Sequence, residues 1–511
     1  MRIYKIFLVL SLITSVWAQG ETQRHLEADI RFLADDLLKG RGTPGYGLEV
    51  AALYLANQLR SAGWQPASEG SYFQTYTVRE FSPQQSRYEI SINGVQLASN
   101  DFTLRPFGMD PTQTPVRYDL IYAGYGVVAP ERNENDLTDV DVRGKAVVAF
   151  LGAPWELNPN TPFGYDRAIG KSIEVNIRNG ALLIYVSDEL EVSTEELLSA
   201  EVAFVREMSQ TPLAYLPEFK GRSTIGIGPI LFIPPRVFDR TLAGTVGGSY
   251  VETQKRLSEG DHQTRALKGS VEIHIDTEPQ ESQASNVVAM LRGRDATLQN
   301  EWVVLSAHYD HLGFHEVPPG QDGIWNGADD NASGTAAVLE IARRLAAGEA
   351  PRRSVMILFT SGEERGLLGS AYYSMHPLVP YDRVVVNINV DMVGRSTGSV
   401  QGIAHGCEGL FTRAAEIGSR LGITVQPDQQ PSWRILYLTD HYHFARFDVP
   451  AIEFFTGLHS DYHQPSDEVK LIRFEELSRI LEVIYKLADY YAQGGVKPVF
   501  QRPGWFLTPA K

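Results

Sequence analysis

The stretch Ser306-Ala307-His308-Tyr309-Asp310-His311-Leu312-Gly313, followed after a short loop by Asn326-Gly327-Ala328-Asp329-Asp330-Asn331-Ala332-Ser333-Gly334, decides how the chain reads. The apolar run Trp302 to Leu305 before it has the character of a short buried strand, and Ala336, Ala337, Ile341 and Leu345 after it recur at helical spacing. His308, Asp310, Asp329 and Asp330 therefore fall in a strand-to-helix loop. In open α/β sheets, ligands bind in the crevice at the carboxyl ends of the strands. Imidazole beside carboxylate is a donor set for a divalent metal such as zinc.

Working outward, β-type runs at Val287 to Leu291, Val303 to Ala307, Val355 to Thr360, Val384 to Val390 and Ala451 to Phe455 alternate with helical segments. That alternation predicts an α/β fold with a doubly wound, largely parallel central sheet flanked by helices. A closing helix over Phe474 to Tyr491 turns Leu477, Ile480, Leu481, Ile484, Leu487 and Ala488 inward. Three of the runs lead into charged loops: Ser361-Gly362-Glu363-Glu364, Asp391-Met392-Val393-Gly394, and a loop with His459, Asp461, Tyr462, His463 and Asp467. In a parallel sheet these loops share one edge. Charges at the mouths of apolar strands are costly unless they bind something. Any one of them alone is weak evidence, because a glutamate pair is usually solvated and an aspartate closing a strand is often a helix cap. The set together offers five candidate ligands and one spare carboxylate.

The chain has 511 residues, 43% hydrophobic and 21% charged, enough for two or more domains. Arg2 and Lys5, the apolar run Ile6 to Ile13 and the Val16-Trp17-Ala18 end read as a cleaved export signal over residues 1–18. The run is well short of the ~20 apolar residues that span a bilayer, so no membrane anchor is expected. The single cysteine, Cys407, allows no internal disulfide and is expected to be buried. A formal charge of -16 argues against nucleic acid or an anionic membrane as partner.

Two amphipathic helices are expected to open the mature chain. One runs from His25 to Leu38, with Leu26, Ile30, Leu33 and Leu37 on its face, and the other from Leu48 to Leu59. The Gly40-Arg41-Gly42-Thr43-Pro44-Gly45 linker between them reads as a plain connector. Between about Thr112 and Gly269 the texture shifts to short β-type runs, at Asp119 to Val128, Lys145 to Leu151, Leu182 to Val186 and Ile230 to Ile233. No His, Asp and Glu cluster at ligand spacing occurs there, so a structural, gating or access role is expected. The expected division is a catalytic domain over 19–111 and 270–495, a smaller β-rich insert over 112–269 and a tail over 496–511.

The chain resembles the M28 family of co-catalytic zinc peptidases, mostly aminopeptidases. The resemblance rests on His308-Tyr309-Asp310, Gly327 to Gly334, Glu363-Glu364, Asn389-Val390-Asp391-Met392, Thr439-Asp440-His441 and Tyr462-His463-Gln464-Pro465-Ser466-Asp467. Thr439 stands where the family usually has serine, which keeps the hydroxyl. The opening helices with their Gly40-Arg41-Gly42 linker also resemble this family, and the segments Tyr122 to Gly126, Val142 to Lys145 and Asn179 to Ala181 resemble, less specifically, a protease-associated domain.

The resemblance implies a zinc-exopeptidase fold holding two zinc ions. Asp330 would bridge them, His308 and Asp391 would complete one site, and Glu364 and His463 the other. Glu363 would be the general base, since adjacent glutamates at a strand end can place one carboxylate on metal and leave the next free to take a proton. A ligating histidine usually gives its other N–H to a carboxylate, which assigns Asp310 to His308 and Asp467 to His463. Tyr462 would hydrogen-bond the developing oxyanion, with ordinary packing as its alternative. Asp329 is read as structural, the Thr439 to His441 segment as pocket wall, and His311, His315, His441, His443 and His459 mostly as packing or surface residues.

The leading expectation is an exported enzyme, periplasmic or extracellular, that removes N-terminal residues from peptides. Competing readings are a carboxypeptidase or dipeptidase of the same superfamily, which needs a cationic clamp such as Arg395 or Arg434, and a non-catalytic binding ectodomain. A single-zinc glutaminyl cyclase is disfavoured because all five dinuclear ligands are present.

Overall fold

Trp302–His308, Ser354–Thr360 and Val384–Val390 are seven-residue strands in which every residue is buried, the burial expected of parallel strands covered on both faces. They form the centre of the structure, a computed structural model that describes residues 20–155, 164–188, 212–219 and 222–507. The expected signal, residues 1–18, and the end of the expected tail lie outside the described residues. The chain divides into two compact units. One comprises the chain up to Tyr76 with Gln283–Gln429 and Thr439–Pro503; the other comprises Thr77–Ser282, Gln430–Leu438 and the chain from Gly504.

In the first unit the elements are α1 (residues 20–33), α2 (Tyr46–Ser61), β1 (Gln280–Leu291), β2 (Trp302–His308), α3 (Gly334–Ala347), β3 (Ser354–Thr360), α4 (Leu368–Met375), β4 (Val384–Val390), β5 (Ser399–Ile403), α5 (Glu408–Leu421), β6 (Thr424–Gln426), β7 (Ala451–Phe455) and α6 (Phe474–Ala492). Within a ten-stranded sheet these strands run β1-β3-β2-β4-β7-β5-β6, and the strand Phe73–Phe81 neighbours β1 on its other side. Its four middle strands, β3, β2, β4 and β7, are parallel, while β1 and β5 pair antiparallel at the flanks. The α/β fold with a largely parallel sheet is the architecture expected from the alternating pattern. The six expected apolar positions of α6 are all buried. Cys407 is buried too, and burial pushes its thiol up to about 11.

Two local expectations are corrected. The first helix ends at residue 33 rather than Leu38, and a separate 3-10 turn follows over Asp36–Arg41. Asp35 starts that turn by accepting the Leu37 N–H at 2.9 Å, and Lys39 and Gly40 then take positive φ. Leu37, expected on the buried face, is therefore 82% exposed, and Leu38 is buried instead. The sheet also extends through β5 and β6, whose Ser399-Val400-Gln401-Gly402-Ile403 and Thr424-Val425-Gln426 carry a weak β signal because polar residues and glycine interrupt them.

The second unit holds an eight-stranded sheet in the order 95–96, 87–92, 265–276, 116–122, 146–150, 182–186, 230–233, 103–105. The strands at 116–122, 146–150, 182–186 and 230–233 pair parallel, and helices Ala168–Ile177, Pro235–Thr241 and Tyr250–Ser258 belong to the same unit. The segment 112–269 lies within this unit, but the sheet also takes strands from 87–92 and 103–105. The run Asp119 to Val128 stops being a strand at Tyr122, where Gly124 and Gly126 turn the chain with φ of 57° and 68°. Among the described residues no helix is long and apolar enough to cross a membrane.

Candidate metal centre

Parallel strands bring their carboxyl ends to one edge, and that edge collects the charged loops of the first unit. His308 is the last residue of β2, Glu363 and Glu364 follow β3, Asp391 follows β4, and His463 lies in the loop after β7. Asp330 comes from a short π-type turn, Ala328–Ser333, that leads into α3. Asn331 holds this turn in place. Its Oδ1 accepts the N–H of Gly334 (2.8 Å) and of Met392 (3.2 Å), and its Nδ2 donates to the Val390 carbonyl (2.9 Å).

The two oxygens of Asp330 face different imidazoles. Oδ1 lies 3.4 Å from His308 Nε2, and Oδ2 lies 3.3 Å from His463 Nε2. Asp391 Oδ1 sits 3.2 Å from the same His308 nitrogen, and Glu364 Oε2 sits 3.1 Å from the same His463 nitrogen. The structure thus brings His308, Asp330, Glu364, Asp391 and His463 together, with Asp330 facing both imidazoles. Ligand atoms of His308, Asp330 and Glu364, and of His308, Glu363 and Asp391, lie within 4.8 Å of one another.

Burial sharpens the electrostatics. It disfavours charge on His308, but Asp391 and Glu363 together with hydrogen bonds to Asp310 and Asp330 raise that imidazole well above its ordinary range. His463 is likewise pushed up to about 10 against burial by Glu364 and Asp330. Burial and Asp330 would raise Glu364, yet His463 and His311 hold it down to about 2. Asp391 rises to about 7, because burial, with Asp330 and Glu453, outweighs His308. Glu363 rises well above the usual carboxylate range, driven by burial and by Glu364, Asp440 and Asp391 against the pull of His308. Four carboxylates and two imidazoles converging on one buried edge fit a divalent cation such as zinc, because nitrogen and oxygen donors of this kind are its ligands and its charge would offset theirs.

The remaining expected residues are placed as follows. Asp310 does lie beside His308: its main-chain oxygen is 3.3 Å, and its carboxylate 3.7 Å, from Nδ1. That carboxylate also accepts from the Glu363 N–H (3.2 Å) and the Thr43 hydroxyl (3.1 Å). Asp467 Oδ2 accepts the backbone N–H groups of Asp329 (2.9 Å) and Asp330 (3.0 Å), so it satisfies donors of the irregular ligand loop. Asp329 is taken up by the Gly394 N–H (2.6 Å), the Ser333 hydroxyl (3.0 Å) and His459 (3.2 Å). Tyr462 stacks on His463 with ring centroids 3.8 Å apart.

Four residues take contacts that the sequence did not assign to them. His311, grouped with packing and surface histidines, is fully buried with Nδ1 2.7 Å from Glu364 Oε1. Its position one residue after Asp310 was visible, but nothing in the sequence ranked it above the other histidines. Glu453 is a buried carboxylate inside β7 and meets His441 Nδ1 at 2.6 Å. A glutamate in the middle of an apolar strand was a signal open to sequence reading. Asp440, next to His441, accepts from the Thr360 hydroxyl at the end of β3. Finally Arg41, in the linker taken for a plain connector, is wholly buried. Burial lowers it to about 10, against Asp310, Asp330, Asp467 and Glu364, so it stays charged at neutral pH.

Residues 286–488 match the family model described as peptidase family M28. A 215-residue segment is 27% identical to a probable zinc metalloprotease of Leptosphaeria maculans and covers 41% of this chain and 45% of that protein. A 199-residue segment is 30% identical to aminopeptidase YwaD of Bacillus subtilis and covers 36% and 39% of the two chains. This chain therefore spans less than half the length of either curated relative. Among solved structures, an aminopeptidase from Aneurinibacillus sp. strain AM-1 aligns over 94% of this chain and 96% of its own, with a TM-score of 0.51 at 18% identity, which is a likeness of fold.

Proposed function

Because residues 286–488 match the model of peptidase family M28, we propose that the protein is an exported dinuclear zinc exopeptidase that hydrolyses N-terminal residues from peptides with a free N-terminus. The observation that carries this reading is Asp330, whose two oxygens face His308 and His463 separately. His308 and Asp391 would hold one zinc, Glu364 and His463 the other, and Asp330 both. Bound zinc would supply Lewis acidity, polarising the scissile carbonyl and making water acidic enough to attack at neutral pH.

The chain's own residues do the rest. Glu363 takes the proton of the attacking water and returns it to the leaving amine, the role of a positioned general base and then acid. Asp310 holds the Glu363 main chain through its N–H, which sets where that carboxylate starts. Tyr462 donates its hydroxyl to the oxyanion. Burial, followed by Asp330, Glu364, Glu363 and Asp391, raises it well above its ordinary range, so it remains a proton donor. The second unit, built around the 112–269 segment, is read as protease-associated, with a part in access or specificity.

The two candidate clamps of the carboxypeptidase alternative are already paired. Arg395 is engaged by Asp461 at 2.7 Å and Arg434 by Glu174 at 3.2 Å, so each guanidinium already carries a carboxylate. A panel of aminoacyl, N-blocked and C-blocked peptides, assayed on one sample with elemental analysis, tests the proposal. Release of N-terminal residues that stops on N-blocking, with two zinc ions per chain, is expected. Cleavage that depends on a free C-terminus, or one ion or none after reconstitution with zinc, defeats it.

A further inference from the structure

The linker at residues 40–43 does more than join two helices. Arg41 donates through Nε to the Tyr309 carbonyl (2.9 Å), through Nη1 to Asn326 (2.7 Å) and Leu33, and through Nη2 to Gly327 (3.0 Å). Its own carbonyl accepts from the His311 N–H (3.3 Å), and Gly42 pairs with His311 as a parallel bridge. Thr43 continues the pattern. Its hydroxyl donates to Asp310 (3.1 Å) and accepts from the Gly362 N–H (3.1 Å), and its carbonyl accepts from Arg365 (2.9 Å).

Every one of these partners apart from Leu33 belongs to a loop that carries proposed ligands or the base. Tyr309 follows His308, Asn326 and Gly327 open the Asp330 loop, and Gly362 and Arg365 flank Glu363 and Glu364. Three loops distant in sequence are tied to one four-residue hub that supplies no ligand itself. The hub is sterically demanding. A Cβ on Gly40, at φ +64°, would fall 2.3 Å from the Trp325 carbonyl and 2.4 Å from that of Gly313.

We propose that Arg41 and Thr43 are positioning residues that set the spacing between the ligand loops, so that the linker governs the affinity of the assembled site for metal. The inference rests on the metal-binding reading above. A planar guanidinium suits the task because its donors diverge in fixed directions and reach carbonyls on separate loops at once, which an ammonium on a flexible stem does not. Groups that orient ligands without touching metal are commonly worth 10- to 100-fold in affinity. The rival account is a plain folding staple, which would stabilise the chain equally with and without metal.

The test uses the full chain as wild type, Arg41→Lys and Thr43→Val. Each protein is stripped by chelation and titrated with zinc, with bound zinc, zinc affinity and melting temperature in the two states as readouts. Both variants are expected to bind zinc about tenfold or more weakly, and their zinc-induced rise in melting temperature is expected to shrink accordingly. Equal losses of melting temperature in the stripped and loaded states, with unchanged zinc affinity, overturn the proposal. Thr43→Val keeps the side-chain shape and removes one hydroxyl, so it decides the matter if Arg41→Lys fails to fold. A wild type that takes up no zinc overturns the metal reading and this inference together; a wild type that binds zinc no better than the variants overturns this inference alone.

Discussion

Glu363 and Glu364 are neighbours on one loop, yet their carboxylates meet different surroundings. Glu364 lies between His311 and His463, which hold it low, whereas Glu363 is raised by burial and by other carboxylates. Glu363→Gln is expected to keep bound zinc while turnover falls by about 10²- to 10⁴-fold, and Glu364→Ala is expected to lose an ion and then activity. Zinc content and turnover measured on both variants check this; the reverse pattern would exchange the two roles. A second titrating residue belongs to the second unit. Asp101 in the second unit is buried, which would raise it, but hydrogen bonds from Arg240, the Ala98 N–H and Arg236 bring it down to about 2. A folded pKa below the unfolded value of 3.8 adds stability that is complete above that value and is lost as pH falls toward about 2. Asp101→Asn should cost about 1–3 kcal/mol near neutrality, toward the lower end because both arginines are half exposed. It should also flatten the acid dependence of unfolding between about pH 4 and about 2, read from denaturant melts across that range.

At the scale of elements, the site depends on how closely α3 approaches β4. A Cβ on Gly334, the first residue of α3, would lie 2.3 Å from both Asn331 Oδ1 and the Val390 carbonyl. Asn331 is the residue that fastens the Asp330 turn to the end of β4, so any shift there reaches a proposed ligand. Gly334→Ala is therefore expected to destabilise by about 1–3 kcal/mol through overpacking and to weaken zinc binding. Gly409→Ala, in the first turn of α5 where an added Cβ meets nothing within 4 Å, is the matched control. It should be neutral or stabilising by up to about 1 kcal/mol, since alanine is the better helix former. Thermal melts of the two variants, with and without zinc, separate close packing from helix propensity.

At the scale of the whole molecule, the chain leaves the first unit after Tyr76 and re-enters it at Gln283. The two ends are close. Thr75 and Ser285 hydroxyls are 2.9 Å apart, and Asn286 donates to Gln74 at 3.0 Å. Replacing Thr77–Ser282 by a short glycine-containing turn is expected to leave a folded unit that binds zinc, because every proposed ligand lies outside that span. The narrower cut suggested by sequence texture, 112–269, should behave worse. It removes 230–232, the partner of the strand at 103–105, and 116–119, the partner of the strand at 270–273, and unpaired edges promote aggregation. Size-exclusion profiles, circular dichroism and zinc content of the two deletions decide between the boundaries. An aggregated product from the wider cut and a folded one from the narrower would reverse them.

What the sequence determined by itself was local and periodic. Runs of branched apolar residues specified β2, β3, β4 and β7, and because parallel strands present their carboxyl ends together, the alternation with helices was enough to predict that His308, Glu364, Asp391 and His463 share an edge. The roles of those residues came from the motifs and their family resemblance rather than from periodicity. Tertiary structure decided whatever depends on groups distant in sequence. Leu37 turned outward because Asp35 began a new turn, Asp467 went to backbone donors that an irregular ligand loop left unsatisfied, and His311 met Glu364 only once β2 and β3 lay side by side. Arg41 shows the division most clearly. An arginine between glycines carries no periodic signal, and its function lies in carbonyls supplied by residues nearly three hundred positions away, which only the folded chain brings within hydrogen-bonding distance.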